Sequence, residues 1–251
     1  MLRPGGRYPG GVLVPWLFAL GLLGAQLAPL APVDVALDPG HSRADVGASG
    51  SGLREYQLTL DLAERVRARL EQAHLRVRLT REDDQPLTAL LNPNADADIA
   101  AEQQARIAAA GPAGIFVSLH FNGGPVSLHG TETYYNPERA PEATSADYAL
   151  ASALQRHVVA ALGDELGYAD LDRGVKSDLM AGKPYGHFFS LRGPMPSALV
   201  EHLFLSNPTE AALLRDDATL DALADGCAQG ILEYFSAAGA AAAATPSSPA
   251  D

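Results

Sequence analysis

Short apolar runs alternate along the chain with longer segments whose hydrophobic residues recur every three or four positions. Residues 33–37 predict a buried strand, and so do residues 115–119, which we expect near the centre of a sheet. Residues 55–73 predict an amphipathic helix, because leucine and valine recur at every fourth position with arginine and glutamate between them. This alternation predicts an α/β fold: a single three-layer domain with a mainly parallel, mixed central sheet flanked by helices.

The remaining elements follow from the same patterns. Further strands are predicted at 75–80, 131–135 and 197–205, and further helices at 100–110, 145–166 and 220–235. Another helix opens at Asn207, since asparagine is a favoured cap and Pro208 suits the first helical position. Residues 86–98 contain prolines and asparagines and predict an exposed insertion.

The two ends of the chain differ from the region between them. Arg3 and Arg7 precede an apolar run, so residues 1–31 predict a secretory signal peptide or, if uncleaved, an N-terminal membrane anchor. Residues 236–251 are rich in alanine, serine and proline and predict a disordered tail. Residues 32–235 then form one domain. We expect an exported protein in the periplasm, the cell wall or the extracellular space.

Composition narrows the classes of function. The 251 residues include 18 Lys and Arg against 30 Asp and Glu, a formal net charge of −12. An acidic protein repels phosphate, which argues against nucleic-acid binding. Cys227 is the only cysteine, so a disulfide scaffold is excluded.

Polar side chains are placed at the ends of predicted strands. His41 follows the first strand and His120 follows residues 115–119. Ligands of open α/β sheets bind beyond the carboxyl ends of strands, so the two imidazoles can converge. Glu55 begins a helix directly after the glycine-rich loop 47–52, which can return it to the same edge. Two histidines and one glutamate are a common zinc-ligand set.

Glu201 lies inside a predicted strand, beside the apolar residue Val200. A carboxylate there costs several kcal/mol unless it is paired or faces a polar site, by the transfer free energies of ionised groups. In a regular strand its neighbour His202 must point to the opposite face. Glu201 is therefore a candidate for the same site as the two histidines.

Six segments together resemble the zinc-dependent N-acetylmuramoyl-L-alanine amidases of bacterial cell walls. They contain, in order, Leu37-Asp38-Pro39-Gly40-His41, Glu55, Leu79-Thr80-Arg81, Phe116-Val117-Ser118-Leu119-His120-Phe121-Asn122, Gly130-Thr131-Glu132-Thr133-Tyr134-Tyr135 and Leu199-Val200-Glu201. The resemblance implies one Zn²⁺ per chain, bound by His41, Glu55 and His120, with Glu201 as the catalytic residue. Asn122 is a candidate for a hydrogen bond to substrate, with a loop-capping role as the alternative. Ser42-Arg43 replaces the usual Gly-Gly pair, which marks a divergent member.

The substrate implied by this resemblance is peptidoglycan, cut at the amide between N-acetylmuramic acid and L-alanine. Zinc would activate water, and Glu201 would move the proton to the leaving amine. Two alternatives remain open: another cell-wall zinc peptidase, such as a stem-peptide carboxypeptidase, and a non-catalytic wall-binding domain. The sequence does not indicate whether a protein activator is required.

Overall fold

The computed structural model describes residues 30–89, 92–166 and 171–244. The strands are β1 (Val33–Pro39), β2 (Ser49–Gly50), β3 (Leu53–Arg54), β4 (Val77–Leu79), β5 (Ala113–Asn122), β6 (Thr131–Tyr135), β7 (Asp172–Ser177) and β8 (Ser197–Phe204). The α-helices are α1 (Glu55–Gln72), α2 (Asp96–Ala110), α3 (Pro141–Leu166), α4 (Pro208–Leu213) and α5 (Asp217–Ala244). Two short 3₁₀ turns, Asp178–Ala181 and Phe189–Arg192, lie between β7 and β8.

Six of these strands form one mixed sheet in the order β4-β1-β5-β8-β6-β7. β1 pairs in parallel with β4 and β5, and β5 pairs in parallel with β8. β6 runs antiparallel to β8 and parallel to β7. The carboxyl ends of β1, β5 and β8 therefore meet at one edge, and the predicted central position of residues 115–119 is confirmed.

The alternation of side chains along β1 divides the interior into two layers. Val35 and Leu37 join the large apolar core that is shared with α1, α3 and α5. Ala36 lies in a smaller cluster with Phe116 of β5 and Ala110 of α2. Helices thus cover both faces of the sheet, which confirms the predicted three-layer α/β domain.

The described residues of the predicted insertion are exposed or half-buried, but the segment overlaps a helix that begins earlier than predicted. α2 begins at Asp96, inside the segment 86–98 that we expected to be an exposed insertion. The Glu102 carboxylate accepts hydrogen bonds from the backbone N–H groups of Leu87 (3.0 Å) and Thr88 (2.8 Å). A side chain on the helix therefore accepts the backbone hydrogen bonds of the loop. Local composition does not reveal this contact, because its partners are 14 and 15 residues apart.

The last helix also extends beyond the predicted bounds. α5 runs from Asp217 to Ala244 and so enters the segment for which we predicted a disordered tail. Alanine has the highest intrinsic helix propensity, which allows an alanine-rich run to continue a packed helix. Residues 1–29 and 245–251 of the predicted terminal segments lie outside the described residues. Within the described ranges, no helix has both the length and the apolar character needed to cross a membrane.

Candidate metal centre

His41, Glu55 and His120 meet at the edge of the sheet where β1 and β5 end. One potential ligand atom from each residue lies within 4.8 Å of the others. Glu55 Oε2 is 3.4 Å from His41 Nε2, and Glu55 Oε1 is 3.0 Å from His120 Nδ1. The two imidazole rings are edge-to-face, with their centroids 4.9 Å apart. The structure therefore brings together the three side chains that the sequence placed on separate elements.

Two backbone N–H groups fix the Glu55 carboxylate. Ala48 N–H donates to Oε2 (2.6 Å), and Phe121 N–H donates to Oε1 (3.0 Å). The loop before α1 turns back through Gly47, whose φ of +70° favours glycine. A Cβ at this position would overlap both the Glu55 carboxylate and the His41 ring. The glycine-rich loop thus returns Glu55 to the sheet edge, as predicted.

Asp45 orients His41. His41 Nδ1–H donates to Asp45 Oδ2 at 2.7 Å, which leaves Nε2 facing Glu55. Burial by itself lowers the pKa of His41, but the Glu55 charge and the Asp45 hydrogen bond outweigh burial and raise this pKa to about 10. A carboxylate behind a histidine is the usual partner that fixes the tautomer of a metal-ligating imidazole.

Two buried guanidinium groups bind the backbone that carries His41. Arg106 donates to the carbonyl oxygens of Pro39 and His41, both at 2.6 Å. Arg81 donates to the carbonyl oxygens of Pro39 and Gly40, both at 2.9 Å. His41 has a φ of +61°, which is strained for a residue with a side chain. The two arginines therefore stabilise an unfavourable backbone that directs the imidazole into the site.

Asp38 supplies negative charge beneath these arginines. Its carboxylate is fully buried and accepts hydrogen bonds from Arg106 (3.1 Å) and from the hydroxyl groups of Thr80 (2.5 Å) and Ser118 (2.7 Å). Burial raises the pKa of Asp38, but the Arg106 charge and these hydroxyl groups outweigh it and lower the pKa. A charge-paired network therefore underlies the loop that carries His41.

Glu201 lies beside the donor cluster, with its Cα paired with that of His120 across β5 and β8. Its Oε2 atom is buried and has no hydrogen-bond partner within the described part of the chain. Burial, followed by the negative charge of Glu55, raises the pKa of Glu201 well above its ordinary value. An unpaired buried carboxyl oxygen is costly, so this geometry makes Glu201 a candidate for a catalytic group.

The cavity over Glu201 is walled by α2 and by the segment between β7 and β8. Its lining includes His41, Asp45, Gln103, His120, Lys183, Tyr185, Phe188 and Glu201. The buried Asp178 carboxylate braces the second wall by accepting hydrogen bonds from His187 Nδ1 (2.7 Å) and Phe188 N–H (2.9 Å). The site is therefore an open cleft with an aromatic wall, which suits an extended substrate.

His202 lies on the opposite face of the sheet from Glu201, as predicted. Its Nδ1–H donates to the His120 carbonyl oxygen at 2.8 Å, and its Nε2 is 3.3 Å from Cys227 Sγ. Burial lowers the pKa of His202 to about 4, which keeps the ring neutral at neutral pH. His202 therefore supports the backbone of His120 from behind the site.

Asn122 is engaged by another side chain. Its Nδ2–H donates to Glu132 Oε1 at 3.0 Å. Glu132 lies on β6, where its Cα pairs with that of Glu201. Asn122 thus connects the end of β5 to a second polar group beside Glu201.

Four residues of the site region were missed by sequence reasoning. Asp45, four positions after His41, carried a local signal, because a carboxylate close to a ligand histidine is a common partner. Arg81 lies in one of the segments that carry the family resemblance, but nothing in its local pattern indicated burial. Arg106 and Lys183 gave no signal, since each is a single basic residue with no motif around it in the sequence.

The donor cluster fits a zinc ion. Two imidazoles and one carboxylate converge, and the buried oxygen of Glu201 lies beside them without a partner. Gly40 allows the close approach, because a Cβ at this position would overlap the His120 ring. Three protein donors with an open side are typical of catalytic rather than structural zinc sites. A mixed α/β sheet with such a cluster at its edge is the arrangement expected of a metal-dependent hydrolase.

Comparisons with known proteins agree with this class. The family model described as N-acetylmuramoyl-L-alanine amidase matches residues 35–233. The germination-specific N-acetylmuramoyl-L-alanine amidase of Bacillus subtilis is 31% identical, over 84% of this chain and 83% of that protein. LytC, an N-acetylmuramoyl-L-alanine amidase of the same organism, is 29% identical over 82% of this chain and 36% of its own length. The catalytic domain of CwlV from Bacillus (Paenibacillus) polymyxa superposes with a TM-score of 0.60 at 31% identity, covering 81% of this chain and 98% of that domain.

The chain therefore belongs to the N-acetylmuramoyl-L-alanine amidase family. It is an enzyme that cleaves the amide bond between N-acetylmuramic acid and L-alanine in peptidoglycan. Enzymes of this family are in general zinc-dependent, which agrees with the three-donor cluster at the sheet edge.

Proposed function

We propose that His41, Glu55 and His120 bind one catalytic Zn²⁺ and that Glu201 transfers the proton during cleavage of the amide. The observation that carries this proposal is the buried, unpartnered Glu201 oxygen beside a cluster of three donors. When bound, zinc supplies a Lewis acid that polarises the amide carbonyl and lowers the pKa of water. Asp45 presents the Nε2 atom of His41 to the ion.

Glu201 has the properties of a general base that later acts as an acid. Burial and the Glu55 charge raise the pKa of Glu201 above its ordinary value, which favours a carboxyl group that both takes up and releases a proton. The carboxylate accepts a proton from the attacking water and passes it to the nitrogen of the leaving L-alanine. Such proton transfer contributes roughly 10²–10⁴-fold to rate.

The proposed boundaries assign residues 32–235 to the catalytic domain. Residues 1–31 direct export, either as a cleaved signal or as a membrane anchor, because the substrate lies outside the cell membrane. The basic residues Arg3 and Arg7 before an apolar run support this assignment. Fractionation that finds uncut, soluble protein in the cytoplasm would refute export, and uncut protein in the membrane would identify the anchor.

Mass spectrometry of digested sacculi tests the reaction. Amidase activity predicts free stem peptides that begin with L-alanine, together with unsubstituted N-acetylmuramic acid on the glycan. Release of a carboxyl-terminal amino acid would instead identify a stem-peptide carboxypeptidase. Binding of the sacculi without cleavage would identify a wall-binding domain. The Glu201→Gln variant is the matched control for contaminating hydrolases.

A further inference from the structure

A second polar cluster lies next to Glu201, centred on Glu132. This buried carboxylate accepts hydrogen bonds from Asn122 (3.0 Å), Tyr134 (2.9 Å) and Arg173 (2.7 Å), and also from Lys176. Burial raises the pKa of Glu132, but the Lys176 and Arg173 hydrogen bonds outweigh it and lower the pKa to about 2. One carboxylate is therefore paired with two cations.

A bulge in β7 brings both cations to the same carboxylate. Arg173 and Lys176 are three residues apart, and in a regular strand they would point to opposite faces. The register with β6 shifts here, because Thr131 pairs with Asp172 whereas Thr133 pairs with Val175. β7 thus contains one extra residue relative to β6. Gly174 lies at this bulge with a φ of +81°, a conformation that glycine adopts readily at bulges.

The cluster carries an excess of positive charge that reaches solvent. The two cations and one carboxylate leave a net charge of +1, and the side chains of Arg173 and Lys176 are 27% and 21% exposed. Arg173 also donates from Nη1 to the His129 carbonyl oxygen (3.4 Å), and both side chains have further N–H donors besides these. The bulge thus presents unused cationic donors beside the reactive centre of a protein whose net charge is −12.

Charge is distributed unevenly across the cleft. On one side of Glu201, Asp45 lines the cavity next to His41 at the end of β1. On the other side, Arg173 and Lys176 of β7 face the single Glu132 carboxylate of β6, while the Asp172 carboxylate of β7 accepts hydrogen bonds from Gln155 (2.7 Å) and from the Gly174 N–H (2.9 Å). The negative charge of the substrate is also unevenly distributed about the scissile bond. The lactyl carboxyl group of N-acetylmuramic acid forms the amide and therefore carries no charge. Free carboxylates therefore occur on the peptide side of the scissile bond.

We propose that Arg173 and Lys176, held by Glu132, form a subsite for a carboxylate of the stem peptide beyond L-alanine. This inference rests on the proposed amidase reaction, and it specifies how the substrate is oriented across the sheet edge. The peptide extends over β6 and β7, and the glycan extends toward β1. A negative charge on the peptide then favours productive binding through charge-assisted hydrogen bonds.

The test compares two forms of one substrate. Soluble glycan–peptide fragments whose second stem residue is D-glutamate with a free α-carboxylate are compared with the same fragments carrying the α-amide. Wild-type enzyme should show a higher kcat/KM for the acid form, and added salt should reduce this preference. Lys176→Met should lower the preference by about fivefold, the upper range for a partly exposed ion pair.

Two variants serve as controls for the charge. Lys176→Arg keeps the cation and should keep the preference for the acid. Arg156→Met removes an exposed cation on α3 that pairs with Glu233 and should leave the preference unchanged. Lys176→Met should remain folded, because Glu132 retains Arg173 and two neutral donors.

The outcomes separate this proposal from the reaction itself. Equal kcat/KM for acid and amide in the wild type would overturn the subsite, and so would an undiminished preference in Lys176→Met. Failure of the wild type to cleave either form would overturn the proposed reaction instead. A preference that depends on both salt and Lys176 would support the subsite.

Discussion

The arginine beneath His41 gives the sharpest prediction about how the site is assembled. Arg106 is 1% exposed and donates to the Pro39 and His41 carbonyl oxygens at 2.6 Å. Arg106→Met would remove both hydrogen bonds and leave Asp38 buried without its cation. Breaking a buried ion pair in this way costs about 3–5 kcal/mol of unfolding free energy.

Arg106→Lys separates charge from geometry. The ammonium group keeps the positive charge beside Asp38, but it lacks the planar fork that reaches two carbonyl groups at once. We expect a smaller loss, about 1–3 kcal/mol, from the unsatisfied carbonyl groups. Zinc affinity should fall in both variants, by about 10–100-fold if His41 loses its support, the range for outer-shell partners of metal ligands.

Two measurements check this reasoning. Urea unfolding in the presence of a chelator gives stability without metal, and competition with a chromogenic chelator in the absence of urea gives zinc affinity. Arg156→Met is the control, since its side chain is 56% exposed and a surface pair contributes about 1 kcal/mol or less. Wild-type zinc affinity in folded Arg106→Met would refute the role of Arg106 in placing His41.

Three further predictions concern stability and metal binding. The lowered pKa of Glu132 contributes stability that is present above about pH 4.5 and is lost as the pH falls toward 2, so acid unfolding of Glu132→Gln should show a weaker pH dependence in this window. Asn207→Ala should lower the unfolding free energy by about 1 kcal/mol in urea titrations, because Asn207 Oδ1 caps α4 by accepting from Thr209 N–H (2.9 Å). The double variant His41→Ala/His120→Ala should contain no zinc by elemental analysis after purification without chelator, and retained zinc would contradict the ligand assignment.

Local patterns predicted most elements of the fold. The helix predicted at 55–73 is observed as Glu55–Gln72, and the strand at 131–135 is observed without change. Both elements bury one side, so their hydrophobic residues recur at the spacing of a helix or a strand, and this spacing predicts the element. β7 was not predicted, because its polar sequence lacks alternation and is interrupted by the Gly174 bulge.

The donor residues were predictable because of where they occur along the chain. His41 and His120 follow apolar strands, and parallel strands bring their carboxyl ends together. The residues around them were not predictable in this way. Arg106 and Glu132 can be buried because distant partners satisfy their charges and hydrogen bonds. Arg106 binds the Asp38 carboxylate and the carbonyl oxygens of Pro39 and His41. Glu132 binds two cations on β7.

Paired measurements of zinc content and initial rate in two glutamate variants test the central claim most directly. Glu201→Gln keeps the shape of the side chain but cannot accept a proton, so it should retain about one zinc per chain and lose roughly 10²–10⁴-fold in rate. Glu55→Gln should lose zinc together with activity, because a neutral amide is a poor zinc ligand. Zinc loss in Glu201→Gln with zinc retained in Glu55→Gln would show that Glu201 is the ligand and Glu55 the proton-transfer group. Near-wild-type activity in Glu201→Gln would contradict the account.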